Sequence, residues 1–226
     1  TGLVSGPDGE VYVAASSGLW GAPADAPAGI HRLGPDGLAP VLTDGVSAPN
    51  DLCFGPDGLL YFTDPVAAAG LESPVPGRVV GLDLGSGDVE IVHEGTLFPN
   101  GIAWSPERDA LLVSESFGER VTRYAYEAGA LGEPSLFAEI EGGQPDGMAY
   151  DTDGNLWVSV NATDAIHVLA PDGQLVERFA TGEGSFVSNC CFGGPDLDEL
   201  YATTAGQGGL ARLKPGARGL PLATRA

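Results

Sequence analysis

Basic residues are scarce. Ten Lys and Arg face thirty-one Asp and Glu, a formal net charge of −21, and Lys214 is the only lysine. A surface that binds nucleic acid or an anionic membrane needs clustered positive charge, so neither partner is expected. Cysteine is equally sparse: Cys53, Cys190 and Cys191 make an odd count with one adjacent pair, all in apolar, strand-like stretches. That is no disulfide framework; it reads as buried thiols in a reducing, cytoplasmic compartment. No apolar run approaches the roughly 20 residues that cross a bilayer. No secretory leader is in view, although the chain starts at Thr1 rather than Met, which leaves room for a removed segment. Long helical periodicity is lacking too. So are a His-x-x-His zinc pattern, a G-x-S-x-G elbow and a Gly-rich phosphate loop ahead of a helix.

Glycine and proline are plentiful instead, 35 and 18 of 226 residues, and they are spread along the whole chain, as turns are. With 43% hydrophobic and 18% charged residues the chain has the material for a packed core.

The chain repeats. PNDLCFGPDGLLYFTDP from Pro49, PNGIAWSPERDALLVSES from Pro99, PDGMAYDTDGNLWVSVN from Pro145 and SNCCFGGPDLDELYATT from Ser188 share one frame, and the opening TGLVSGPDGEVYVAAS fits it. Each copy has a small polar pair, an apolar run, a turn and a second apolar run. Thr1, Asn50, Asn100, Asp146 and Asn189 take the corresponding position, at spacings of 49, 50, 46 and 43. Two further runs follow in most copies, such as Arg78–Leu84 with Val89–His93, and Ile166–Ala170 with Leu175–Phe179. Four short strands at a period of about 40–50 residues indicate an all-β chain, a β-propeller of four-stranded blades in a single domain over residues 1–226. A solenoid, with shorter repeats, ranks below it. Five units are visible, about nineteen strands, and the last unit shows three.

Equivalent residues at the starts of inner strands lie at one mouth of a propeller's channel. Asn50, Asn100 and Asp146 hold that position in successive units. Two amide oxygens and a carboxylate are hard ligands suited to Ca²⁺, Mg²⁺ or Mn²⁺. Any one Asn-Gly or Asp-Gly is ordinarily a turn; three in register favour a site. Asp8-Gly9, Asp57-Gly58 and Asp153-Gly154 read as turns between first and second strands, Asp36-Gly37 and Asp172-Gly173 between third and fourth. His31 and His167 share a third-strand position away from the axis. Asp64 and Glu115 end second strands and read as surface or supporting carboxylates. The stretches Ser17–Ala28 and Val66–Pro76, with Trp20 and Leu71, are candidate lids over the mouth.

The four motifs resemble the gluconolactonase / senescence-marker-protein / luciferin-regenerating-enzyme family, and the resemblance runs from about Thr1 to the end. It implies a six-bladed propeller with one divalent cation on its axis (Ca²⁺ first, with Mg²⁺, Mn²⁺ or Zn²⁺ as alternatives) and hydrolysis of a lactone. It further implies Asn100 and Asp146 as metal ligands and Asn50 as a ligand of metal, or of substrate and its water. The family's Glu-Gly-Pro motif, whose glutamate is a metal ligand, does not occur. Thr1-Gly2 matches the start of the family's second blade, so the first blade is expected to lie outside this sequence. The implied mechanism is metal-assisted opening of a small-molecule lactone or related cyclic ester. In it Asp146 is ligand and proton acceptor, Asn50 orients substrate as a catalytic and substrate-binding residue, and Asn100 completes the cage. The rivals are a metal-free propeller enzyme of the strictosidine-synthase type and a non-catalytic binding propeller. The composition bias toward Ala, Gly, Pro and Arg suggests a bacterial source. The sequence leaves substrate identity and oligomeric state open.

Overall fold

Where the sequence places Asp57-Gly58 between two apolar runs, the chain reverses. Gly58 takes the left-handed conformation (φ 86°) that a side chain disfavours. Asp57 accepts the Leu59 N–H at 3.1 Å and the Tyr61 hydroxyl at 2.6 Å. Asp8 does the same for Glu10 N–H (3.0 Å) and Tyr12 (2.8 Å) in the first unit. These Asx-type bonds fix the hairpin's end, and the alternating apolar residues on either side fix its register.

The structure is a computed structural model and describes residues 2–16, 27–66 and 75–221. Nineteen strands are seen among them. β1 (Leu3–Ser5), β2 (Val11–Ala15), β3 (Gly29–Gly34) and β4 (Gly37–Leu42) form one antiparallel sheet in sequence order. β5 (Leu52–Phe54), β6 (Leu60–Asp64), β7 (Gly77–Leu82) and β8 (Val89–Thr96) form the next. β9 (Pro99–Trp104) to β12 (Ala130–Glu139), with β10 (Ala110–Glu115) and β11 (Arg120–Glu127) between, make the third. β13 (Pro145–Tyr150), β14 (Leu156–Val160), β15 (Ala165–Leu169) and β16 (Leu175–Ala180) make the fourth. β17 (Val187–Gly193), β18 (Glu199–Thr204) and β19 (Gly209–Leu213) complete the count as a three-stranded sheet. Consecutive antiparallel meanders of this kind are the blades of a β-propeller, and they exclude a solenoid.

By its contacts the chain divides into two compact units, Thr1–Ile102 and Ala103–Pro221. In the first, Tyr12, Ile30, Leu52, Phe62 and Val80 pack into one buried cluster that joins the first two blades. In the second, Leu112, Val121, Met148, Val158 and Leu169 form one cluster, and Trp157, Ile166, Val187 and Leu200 form another. Each cluster draws on two successive blades, because one face of an isolated sheet would remain wet.

Two expectations need correction. Only Cys190 of the three free cysteines is buried; Cys53 is half-buried and Cys191 exposed, because adjacent strand residues face opposite ways. The pairing register also moves Asn189. Cys190 pairs with Ala202 as Met148 pairs with Val158 and Leu52 with Phe62. Ser188 is therefore the counterpart of Asn50 and Asp146, and Asn189 that of Asp51 and Gly147.

His31 and His167 do share a third-strand position, opposite Val13 and Val158. Burial, with the charge of Arg178, lowers the His167 pKa to about 4. The imidazole is thus neutral in the fold and protonates more readily in the unfolded chain, near pH 6.5. Stability from this site is complete above pH 6.5 and is lost as pH falls toward 4, by about 3 kcal/mol at most. Urea melts from pH 7 to pH 4 should show that slope, and His167→Val should flatten it. Val80 fills the matching place in the second blade without difficulty.

Candidate functional site

Asn100-Gly101 and Asp146-Gly147 are not turns. Both lie inside extended strands, β9 and β13. What keeps them extended is a hydroxyl from the preceding blade. Thr63, near the end of β6, donates through Oγ1 to the Asn100 carbonyl at 2.6 Å. Ser114, its counterpart on β10, donates through Oγ to the Asp146 carbonyl at 2.8 Å. Two positions further along, Ser16 and Ser116 donate to the carbonyls of Pro49 (2.6 Å) and Pro145 (2.7 Å). The residues before Asn50 and Asp146 are thereby fixed as well. Thr63 also receives the Asn50 N–H on its own carbonyl at 2.9 Å, so one residue ties Asn50 and Asn100 into a common frame. Asn100 is 6% exposed; Asn50 and Asp146 are half-buried.

Three residues without a sequence signal join this arrangement. Asp51 follows Asn50 and accepts the Leu52 N–H at 3.0 Å and, across the blade boundary, the Ile102 N–H at 3.4 Å. Burial pushes its carboxyl up to about 6, against the lowering effect of those backbone bonds. It fits because residue 2 is glycine: a Cβ there would lie 2.0 Å from the Asp51 Oδ1. Gly147 makes the same room for Asn189. Asn161, in a short 3-10 turn after β14, is the second. With its amide turned to face acceptors, Nδ2 donates to the Val187 carbonyl (2.5 Å) and to the Asp146 Oδ2 (3.3 Å). The third, Phe186, stands immediately before β17 and is taken up below.

Asp64 and Glu115 are not surface groups. Both are buried at the ends of β6 and β10, each opposite an arginine that opens the next strand. Arg78 donates to the Asp64 Oδ2 at 2.9 and 2.8 Å, and Arg120 to the two Glu115 oxygens at 2.9 and 3.0 Å. They clamp hairpins. Beside the first clamp, a cleft of about 360 Å³ opens among Ser47, Arg78, Glu94 and Gly95, at the same end of the second blade as Asn50. The lid residues Trp20 and Leu71, and most of the two stretches that carry them, lie outside the described residues.

In the first unit Asn50 and Asn100 offer amide oxygens, and in the second Asp146 offers a carboxylate; each is the kind of oxygen donor a hard divalent cation takes. Among the described residues no group of three or more His, Cys, Asp or Glu could hold a metal ion. No helix among them is long and apolar enough to cross a membrane.

The chain is similar to known proteins. A family model described as "SMP-30/Gluconolactonase/LRE-like region" matches residues 2–206. A gluconolactonase of Zymomonas mobilis is 30% identical over 215 residues, which are 85% of this chain and 57% of that one. The pentonolactonase XacC of Haloferax volcanii is 34% identical over 173 residues, 74% of this chain and 57% of that one. The chain thus spans just over half the length of these relatives. The solved structure of XC5397 from Xanthomonas campestris, a gluconolactonase, superposes with a TM-score of 0.74 at 26% identity, covering 94% of this chain and 70% of that one.

Proposed function

The chain belongs to the SMP-30/gluconolactonase/LRE-like family, and from that premise we propose that it opens a lactone or related cyclic ester with the help of one divalent cation. The observation that carries this reading is the treatment of Asp146. Its backbone is held in an extended strand by Ser114 and its carboxylate is oriented by Asn161. Two of the relatives are named for opening gluconolactone and pentonolactone.

Asn50, Asn100 and Asp146 would hold the cation, which when bound supplies Lewis acidity at the lactone carbonyl. The Asp146 carboxylate accepts a proton from the attacking water. The water oxygen bonds to the acyl carbon, the ring C–O bond breaks, and the proton held by Asp146 passes to the ring oxygen, which leaves as a hydroxyl and restores the carboxylate. Asn161 on Oδ2 restricts rotation of the Asp146 carboxylate. The Asn50 amide orients substrate, and the cleft beside the Asp64–Arg78 clamp has room for the polyol part of a sugar lactone.

Asp146 carries the one formal negative charge among these three, so it is expected to dominate their hold on the cation. Thermal melts with Ca²⁺, Mg²⁺, Mn²⁺ and Zn²⁺ should rise with at least one of them. Hydrolysis of D-glucono-1,5-lactone should stop on chelation and return on adding that ion. Full activity after chelation would remove the cation from the mechanism. No turnover of any lactone with cation supplied would favour a binding propeller.

A further inference from the structure

We infer that Phe186 is a specificity-determining wall of the binding site, an aromatic surface on which the apolar face of a lactone ring lies; this rests on the lactone reading above.

A bulky residue at positive φ is strained and persists only where its surroundings over-determine it. Phe186 (φ 46°) and Phe98 (φ 55°) both adopt that conformation, and both stand two residues before a site position, Ser188 and Asn100. The outcomes differ. Phe98 is 3% exposed, so its turn delivers a ring to the core; Phe186 is 44% exposed. In the fifth blade the same strained turn displays the ring, and packing does not account for it.

The backbone around Phe186 is tied on both sides. Asp164, which ends the 3-10 turn begun by Asn161, accepts the N–H groups of Gly184 (2.7 Å) and Phe186 (2.8 Å) and the Ser185 hydroxyl (3.3 Å). On the other side Ala205 N–H donates to the Phe186 carbonyl, and Gly206 N–H to that of Ser185, both at 3.1 Å. The backbone that carries the ring is therefore fixed before any ligand arrives. That place adjoins the chemistry, because the next carbonyl, of Val187, shares the Asn161 amide with the Asp146 carboxylate. A small-molecule site is built from apolar and aromatic walls with a few convergent polar groups. Asp146, Asn161 and Ser188 supply the polar groups here, and Phe186 supplies the wall. An uncharged ring with an apolar C–H face also suits a chain of net charge −21, which gives anions no encouragement.

The test uses the full chain with its activating cation and D-glucono-1,5-lactone. Phe186→Ala should raise KM about tenfold, leave kcat within about twofold and leave the melting temperature unchanged, while Phe186→Tyr restores KM. Phe186→Trp provides a readout independent of turnover: its emission, against wild type, should change saturably with the lactone. If the wild type hydrolyses lactones and Phe186→Ala keeps its KM, the inference falls and the hydrolase reading stands. If no lactone is turned over but the Phe186→Trp emission still saturates, the inference stands and the hydrolase reading falls. Neither turnover nor a change in emission overturns both.

Discussion

Asp146→Ala is expected to lower lactone hydrolysis by about a thousandfold and to abolish the rise in melting temperature that a divalent cation produces. The size follows from two roles on one side chain. Loss of a positioned general base costs roughly 10²–10⁴ in rate, and loss of the one charged ligand among the three removes most of their hold on the cation. Asp146→Asn separates them: the amide keeps the shape and one oxygen, so some cation stabilisation should survive while proton transfer does not. Ser114→Ala should act more mildly. It removes the 2.8 Å hydroxyl bond to the Asp146 carbonyl but leaves the carboxylate, so kcat should fall by about tenfold, the cost of one positioning contact. The cation-free melting temperature of Asp146→Ala should match wild type, because Asp146 is half-buried and belongs to none of the apolar clusters. Activity in Asp146→Ala within tenfold of wild type would exclude Asp146 as the base.

The blades were legible because their determinants are local. An Asp-Gly between two short apolar runs specifies a hairpin from about ten residues, and repetition at a period of 43–50 specifies how many hairpins to expect. Asn50, Asn100 and Asp146 stood out for the same reason, as one position seen three times. What stayed hidden depends on partners in another blade. Thr63 reaches the Asn100 carbonyl 37 residues away, and Asp51 reaches Ile102 at a separation of 51. Nothing in the residues near Thr63 or Asp51 announces those bonds. The Asn189 assignment slipped for a related cause. Counted from Ser188, SNCCF has one residue fewer than PNDLCF, and only strand pairing shows that the frame opens at Val187, so that VSNCCF matches PNDLCF residue for residue. The strained display of Phe186 is invisible in the letters, since Phe98 reads the same and is buried.

Asp64→Ala is expected to destabilise the protein by about 3–5 kcal/mol, read as a fall in urea midpoint at pH 7. The carboxylate is fully buried at the end of β6 and answers four donors at once. They are the Ser47 N–H at 2.9 Å, the Ala48 N–H at 2.7 Å, and two N–H groups of Arg78. Truncation leaves both amides unpaired and strands a guanidinium that is three-quarters buried. Solvent can reach part of Arg78, which holds the cost to that range rather than higher. Asp64→Leu with Arg78→Met removes both charges and should recover much of the loss, because a pair replaced together leaves no orphan. The clamp is not a demand of the propeller itself. Ala15, Val160 and Thr204 take the same register position in three other blades and carry no charge, while Glu115 with Arg120 repeats the clamp in the third. The clamp's particular work is to pin residues 47 and 48, which lead directly into Asn50. Asp64→Ala should therefore also raise the KM of the folded fraction, whereas Glu115→Ala, at a similar cost in stability, should leave the Asn50 side unchanged. If Asp64→Ala shifts the midpoint by less than about 1 kcal/mol, the buried pair is no stronger than an exposed one and the link to Asn50 goes with it.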